Sequence, residues 1–462
     1  MSKAIARFAC ELDWNSIPSP VSRRAKFLML DAIGVALASA AYDFAGPAVE
    51  ALVDAGGGGA SAVIGGDRRL GLRDAALMNG ILIHGIDYDD THMGSVTHTT
   101  ASLLPTTLAL AEKHGLSGRD MITAFVLGTE VAARIGSVAK GGFHQTGFHP
   151  TGVVGAFAAA TAAAKLLRLN EAKIADSQGI VLSFASGTFQ FLEDGSWTKR
   201  LHPGWAASSG ITAAYLAGRG FRGVEAPYDG RFGLYATHLK SQPAPDDVAQ
   251  AFAGLGTGWE TLNVALKPFP ACHFTHASAD AAIQLHNDGV DASRVKRVRV
   301  RVPAGVMNIV CEPREVKLRP KTSYDAQFSL QYIVATALLK GRFGLGELAE
   351  HALRNPDVLS LAERVICEVN PDADFPRHYS GAVTVEYTDG AVREVNEDIN
   401  RGSPERPLSE SDILRKFEET AQRVAGEDRA TLIRDAVLQL DESVCIDNLT
   451  ALLAQRISGI KQ

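Results

Sequence analysis

The hydrophobic period of this sequence changes twice, and that decides its architecture. Up to about residue 265 apolar residues recur every three or four positions; Arg297-Val298-Arg299-Val300-Arg301-Val302 then alternates strictly; after Pro407 the helical period returns. Alternation marks a half-buried strand and the three-to-four spacing an amphipathic helix. A chain of 462 residues rarely closes around one core. The pattern therefore predicts a mostly α fold: a large all-helical domain (residues 1–266 and 403–462) with an inserted smaller α+β lid domain (267–402), the C-terminal helices returning to pack on the first part.

Local signals fill in this outline. Ser19-Pro20 opens a helical segment running to Tyr42, Asp120 begins another through Gly136, and Pro150 starts TGVVGAFAAATAAAKLLRL, whose small residues suit a buried central helix approached closely by its neighbours. In the middle region Val365–Val369 reads as a strand, AVTVEYTDGAVREV as a hairpin turning at Asp389-Gly390, and residues 326–339 as one helix. Gly56–Gly59 is not followed by Gly-Lys-Ser/Thr and reads as a flexible turn, not a phosphate-binding loop.

Composition narrows the function. A net charge of -6 argues against nucleic acid as a partner, since phosphates need a basic patch. Val153–Ala164, the most apolar stretch noted, is too short to span a bilayer, so no membrane association is expected. Glu11 and Asp13 stand where a signal peptide needs an apolar core, and the five cysteines show no C-x-x-C spacing; both features suggest a cytoplasmic protein with reduced thiols.

Four segments carry chemistry. The first, HGIDYDDTHMGSVTHTTASLLP (His84–Pro105), sets Asp87, Asp89 and Asp90 within four residues, followed by Thr91, His92 and His98. Carboxylates so crowded need cations, helix N-termini or a retained proton. Its D-x-D-x-T run matches aspartyl-phosphate phosphatases, but the strand such enzymes need before it is missing. The second, GGFHQTGFHPTGVVG, places His149 before Pro150, where an imidazole can shuttle protons, with His144 as a weaker candidate. The third, SWTKRLHPGWAASSG, groups Lys199, Arg200 and His202 beside a Pro-Gly turn, as carboxylate binding requires. The fourth, LKPFPACHFTHASADAA, brings Lys267, Cys272, His273 and His276 to the start of the mixed region. The spacing of its cysteine and histidines is too tight for a regular metal site, and none is expected elsewhere.

In this order HGIDYDDTHMGSVTH, GFHPTGVVGAFAAA, TKRLHPGWAA and KPFPACHFTH resemble the MmgE/PrpD family, which includes 2-methylcitrate dehydratase, cis-aconitate decarboxylase and iminodisuccinate epimerase. The resemblance implies a homodimeric enzyme without cofactor or metal, acting on a small di- or tricarboxylate. It carries the family's active-site positions to Asp87, Thr91, His98 and His149, with Lys199 and Lys267 from the later motifs. Ser208 stands where the decarboxylases have lysine, and Cys272, with His273 beside it, where they have histidine. The expected reaction is therefore dehydration of a 2-methylcitrate-type hydroxy acid, a carbon–oxygen lyase; epimerisation of an imino- or amino-dicarboxylate and decarboxylation are the alternatives. His98 or His149 would be the base, Asp87 would share or orient its proton, and Thr91 would bond the substrate. Lys199, His202, Ser208, Lys267, Cys272 and His273 would bind it. The site is expected between the two domains, with hinges near residues 265–270 and 400–407, where Gly402 and Pro404 interrupt regular structure.

Overall fold

A computed structural model describes residues 1–457; the last part of the expected C-terminal return, 458–462, lies outside the described residues. The chain is 59% helix and 9% strand, so the fold is predominantly α with a smaller α+β region. It divides into two compact units. One holds Met1–Gly85, Asp89–Val264 and, of the described residues, the chain from Ser409 to Ile457; the other holds Ala265–Leu408 together with the short piece Ile86–Tyr88.

The first unit is built around the Pro150–Leu166 helix, in which every residue but Lys165 is buried. It packs against the helices Thr99–His114, Gly118–Val138 and Thr198–Gly218. Small residues make this possible. A Cβ on Gly210 would lie 2.5 Å from the Ala160 amide nitrogen, and one on Gly80 would lie 2.4 Å from the Gly204 Cα. The second of these contacts draws Leu72–Ile83, which ends where the first motif starts, onto Thr198–Gly218, which carries the third. Gly210→Ala should therefore lower stability by about 1–3 kcal/mol, because overpacking outweighs the better helix propensity of alanine. A raised melting temperature would contradict this close approach.

The Gly118–Val138 helix is long and apolar enough to cross a membrane, but 94% of its apolar window is buried inside the protein. It also carries a buried ion pair, Arg134 Nη1 to Glu130 Oε2 at 2.6 Å. The Glu130 carboxylate also accepts from the Thr261 amide and hydroxyl, both at 2.8 Å, so the acid of this pair is well bonded within the unit. The returning Glu410–Ala425 helix packs on Ser19–Ser39 and is tied to it by a second buried pair, Lys416 to Asp31 at 2.8 Å.

The second unit centres on a four-stranded sheet. Val295–Val302 pairs in parallel with Val365–Val369 on one side and antiparallel with Gly381–Tyr387 on the other, and Val392–Glu397 completes the hairpin. The alternation read in the sequence is the burial pattern: Val298, Val300 and Val302 are buried while Arg297 is exposed. The helices His276–Asn287 and Leu330–Lys340 pack together and against the sheet.

Two local expectations need correction. Residues 326–339 are not one helix: Ser323–Gln327 ends, Ser329 turns extended and its hydroxyl caps Tyr332 N at 3.1 Å, and Leu330–Lys340 follows. A serine that can accept from a following amide offers the backbone this alternative to continuous helix. Nor is Gly56–Gly59 merely a turn. Gly57 ends a helix at φ 74°, and Gly58–Ala62 is a strand paired with Arg69–Leu70.

Candidate active site

In the first unit the first motif begins where the Leu72–Ile83 helix stops. His84 is its C-cap, buried, with Nδ1 2.7 Å from Asp89 Oδ2. His98 is the N-cap residue of the Thr99–His114 helix, and its Nδ1 lies 2.6 Å from the Asp90 carbonyl oxygen and 3.3 Å from Thr91 Oγ1. A carbonyl can only accept, so Nδ1 carries the hydrogen and the lone pair of neutral His98 sits on Nε2. The same reasoning holds for His84 against an ionised Asp89. Asp90 takes hydrogen bonds from the Thr100 amide and hydroxyl. Its pKa is nevertheless pushed up to about 7, mainly by burial.

His149 is the N-cap residue of the central helix, and its Nδ1 lies 3.0 Å from Nδ1 of His202. The His84, His98 and His149 ring centres are 4.8–5.9 Å apart, and His202 is 5.2 Å from His149. The third motif is corrected in form. Its Pro203-Gly204 is not a turn but lies inside the Thr198–Gly218 helix, which puts Lys199, Arg200 and His202 in the first two turns. Arg200 donates from Nε to the Gly85 carbonyl at 2.6 Å and covers the Phe44 ring at 4.3 Å, which fixes the chain after His84. Ser208 is buried further along the same helix, roughly 9 Å along the axis from His202.

Burial sets the charge of these imidazoles. The pKa of His149 is held well below 6.5, first by desolvation and then by His202, His84, Lys199 and His98. His202 is lowered to about 4 by desolvation, His84 and Lys199, and His144 to about 4 by desolvation and Lys199. Lys199 is buried, and its charge reaches all three. At neutral pH these rings are uncharged and able to accept protons.

The shifts have a stability consequence. The folded protein resists protonating these histidines, so their contribution is present above pH 6.5 and is lost as the pH falls from there toward 4. Each adds a slope of about 1.4 kcal/mol per pH unit. Asp90 and Asp31, both raised, act in the opposite sense: their contribution is present at low pH and declines as the pH rises. His276, held well below 6.5 by burial, and His114 and His238, also lowered, act in the same sense as these histidines, so the melting temperature should fall below pH 6.5. His144→Phe, which keeps an aromatic ring 4.8 Å from Phe189, should flatten that fall by about one proton. An unchanged slope would show that His144 is not held neutral.

In the second unit Asp87 and Lys267 form a buried pair. Lys267 Nζ donates to Asp87 Oδ1 at 2.6 Å and to the Asp87 carbonyl at 3.0 Å. Asp87 has φ 52°, a left-handed conformation that aspartate tolerates better than most residues, and the lysine closes around it. Gln327, freed by the helix break, donates to the Ile86 and Pro270 carbonyls and accepts from Cys272 N at 2.9 Å. His273 Nε2 lies 2.9 Å from Asn400 Nδ2, and His276 donates from Nε2 to the Ala271 carbonyl at 3.0 Å.

The sequence-derived residues thus fall into two groups. Thr91, His98, His149 and His202 gather in the first unit with Lys199 in electrostatic reach. Asp87 pairs with Lys267 in the second unit, which also holds Cys272 and His273. The acidic triplet does not share one partner: Asp87 goes to lysine, Asp89 to histidine and Asp90 to threonine. Sequence reasoning missed His84, Gln327 and Asn400. His84 had a signal, an imidazole ending an apolar helix five residues before Asp89; the other two had none.

Comparison with known proteins covers both units. Residues 3–246 match the MmgE/PrpD N-terminal domain and residues 269–442 the MmgE/PrpD C-terminal domain. The cis-aconitate decarboxylase-like protein oryM of Aspergillus oryzae is 30% identical, over 97% of this chain and 96% of its own length. The cis-aconitate decarboxylase of Homo sapiens is 32% identical over 84% and 80%. The 2-methylcitrate dehydratase of Cupriavidus necator is 25% identical over 80% and 78%.

Proposed function

Because the chain belongs to the MmgE/PrpD family, we propose that it is a lyase that acts, without an added cofactor, on a small di- or tricarboxylate by moving a proton at the carbon beside a carboxylate. One observation carries this reading: His84, His98, His149 and His202 cluster together, and His149 and His202 among them are held neutral within the field of Lys199. Lys199 draws in a carboxylate. The polyanion it binds stabilises imidazolium, raises the depressed histidine pKa toward the working pH, and so turns a weak base into an effective one.

Dehydration of a 2-methylcitrate-type hydroxy acid is the first reading. His98 or His149 takes the carbon proton, the carbon–carbon double bond forms, and the hydroxyl leaves as water with a proton from a neighbouring acid. Asp87, held by Lys267, is a proton-sharing group, and Thr91 and His202 position His98 and His149. Ser208 and Cys272 replace residues expected of the decarboxylases, which speaks against decarboxylation and leaves the proton abstraction that dehydration and epimerisation share. Decarboxylation of an unsaturated tricarboxylate is the second reading, favoured by the higher identity and wider coverage of the decarboxylase relatives.

The test is a panel of cis-aconitate, hydroxy tricarboxylates and imino- and amino-dicarboxylates assayed in heavy water. New absorbance from an unsaturated acid supports dehydration, and carbon dioxide release from cis-aconitate supports decarboxylation. Deuterium wash-in into imino- or amino-dicarboxylates without net elimination would make the protein an epimerase instead. No reaction with any carboxylate would sink the proposal.

A further inference from the structure

We propose that His84, His98 and His149 form a binding site for one divalent transition-metal ion of the zinc type, and that filling it turns the enzyme off. The inhibitory half rests on the proton-transfer reading above; the binding half does not.

One ring nitrogen from each of the three histidines lies within 4.8 Å of the other two. Three nitrogens held tetrahedrally at about 2.0 Å from zinc stand roughly 3.3 Å apart, so the rings need close by no more than roughly 1.5 Å. Imidazole nitrogen is a preferred donor for zinc, copper, nickel and cobalt. The residues come from three separate helix ends in one unit: the C-cap of Leu72–Ile83 and the N-caps of Thr99–His114 and Pro150–Leu166.

The surrounding contacts are those a metal site uses. A ligating histidine characteristically gives its other N–H to a carboxylate or a backbone carbonyl, which fixes the ring and its tautomer. His84 Nδ1 faces Asp89 Oδ2 at 2.7 Å, and His98 Nδ1 donates to the Asp90 carbonyl at 2.6 Å. In both rings Nε2 is then the lone-pair nitrogen. His149 Nδ1 faces His202 at 3.0 Å, which orients the third ring. The buried Asp89 carboxylate offsets part of the added charge, while Lys199 opposes it. Three protein ligands leave a fourth position for water or a substrate carboxylate. A metal-bound nitrogen has no lone pair left for a proton, so an ion here blocks the base it binds.

The experiment is a titration of the EDTA-treated full-length protein with Co²⁺, followed by competition with Zn²⁺. We expect one Co²⁺ per chain, with the strong visible absorption of a nitrogen-ligated low-coordinate site, displaced by one Zn²⁺. Asp89→Asn should weaken binding about 10–100-fold as an outer-shell change, and His84→Gln or His98→Gln should weaken it more, with folding checked by circular dichroism. Turnover of whichever carboxylate is the substrate should be full after EDTA, fall in step with Zn²⁺ loading, and return on chelation. Binding that is absent, or unchanged in both histidine variants, overturns the site. Stoichiometric binding with undiminished turnover overturns the inhibition alone. A protein that binds Co²⁺ but turns over no carboxylate refutes the lyase reading and leaves the metal site standing.

Discussion

Replacing His149 with glutamine should lower kcat by about 10²–10⁴-fold, the range for loss of a positioned general base, with little change in KM. Glutamine is close to histidine in size and can still bond His202, so the N-cap of the central helix should survive. What it lacks is a titrating lone pair. His149 is 3% exposed and ringed by His84, His98, His202, Phe189 and Phe191. Such a ring is either a base or a packing element, and kinetics separate the two. Unchanged kcat with a raised KM would make His149 a binding group and shift the base to His98. His202→Asn is the companion: acting through His149, it should move the acid limb of the kcat profile more than it lowers the maximum.

The two candidate bases differ in how firmly their tautomers are set. A carbonyl fixes Nδ1–H on His98. His149 meets another imidazole, and in the neutral pair either ring can donate. A hydrogen bond between two neutral histidines lets a proton taken at one be shared with its neighbour, and the loss of either ring changes the basicity of the other. Several groups act together to hold His149 neutral, so an arriving polyanion acts directly on its basicity.

What the sequence disclosed follows from range. The Val295–Val302 strand was legible because its alternation is local, and the central helix because seventeen residues with so many alanines and glycines have few other uses. The four motifs could be found because each is contiguous. The break before Leu330 escaped notice because Ser329 sits in an apolar run where helix and cap look alike until tertiary contacts choose. The helical setting of Pro203 escaped for a related reason. A Pro-Gly pair argues for a turn locally, yet Gly204 is where Leu72–Ile83 comes closest, and that contact is invisible to a local reading. Gln327 and Asn400 act through residues more than fifty positions away, at Pro270 and His273, which no spacing rule connects.

Lys267→Met should destabilise the protein by about 3–5 kcal/mol, the expected cost of leaving a buried carboxylate without its cation. Asp87 and Lys267 have side chains 2% and 1% exposed, so water does not replace the lost partner. Lys267 also bonds the Asp87 carbonyl, and so braces a residue in a left-handed conformation as well as neutralising it. The single change removes both supports. If the charge is what matters, adding Asp87→Asn to Lys267→Met should recover much of the lost stability, since no ion is then left buried. If the brace matters more, the double variant should remain as unstable as the single one. Denaturant unfolding of the two single variants and the double variant decides between them. A Lys267→Met protein as stable as the parent would mean that Asp87 is protonated or solvated in solution, and its role as a proton-sharing group would need a different partner.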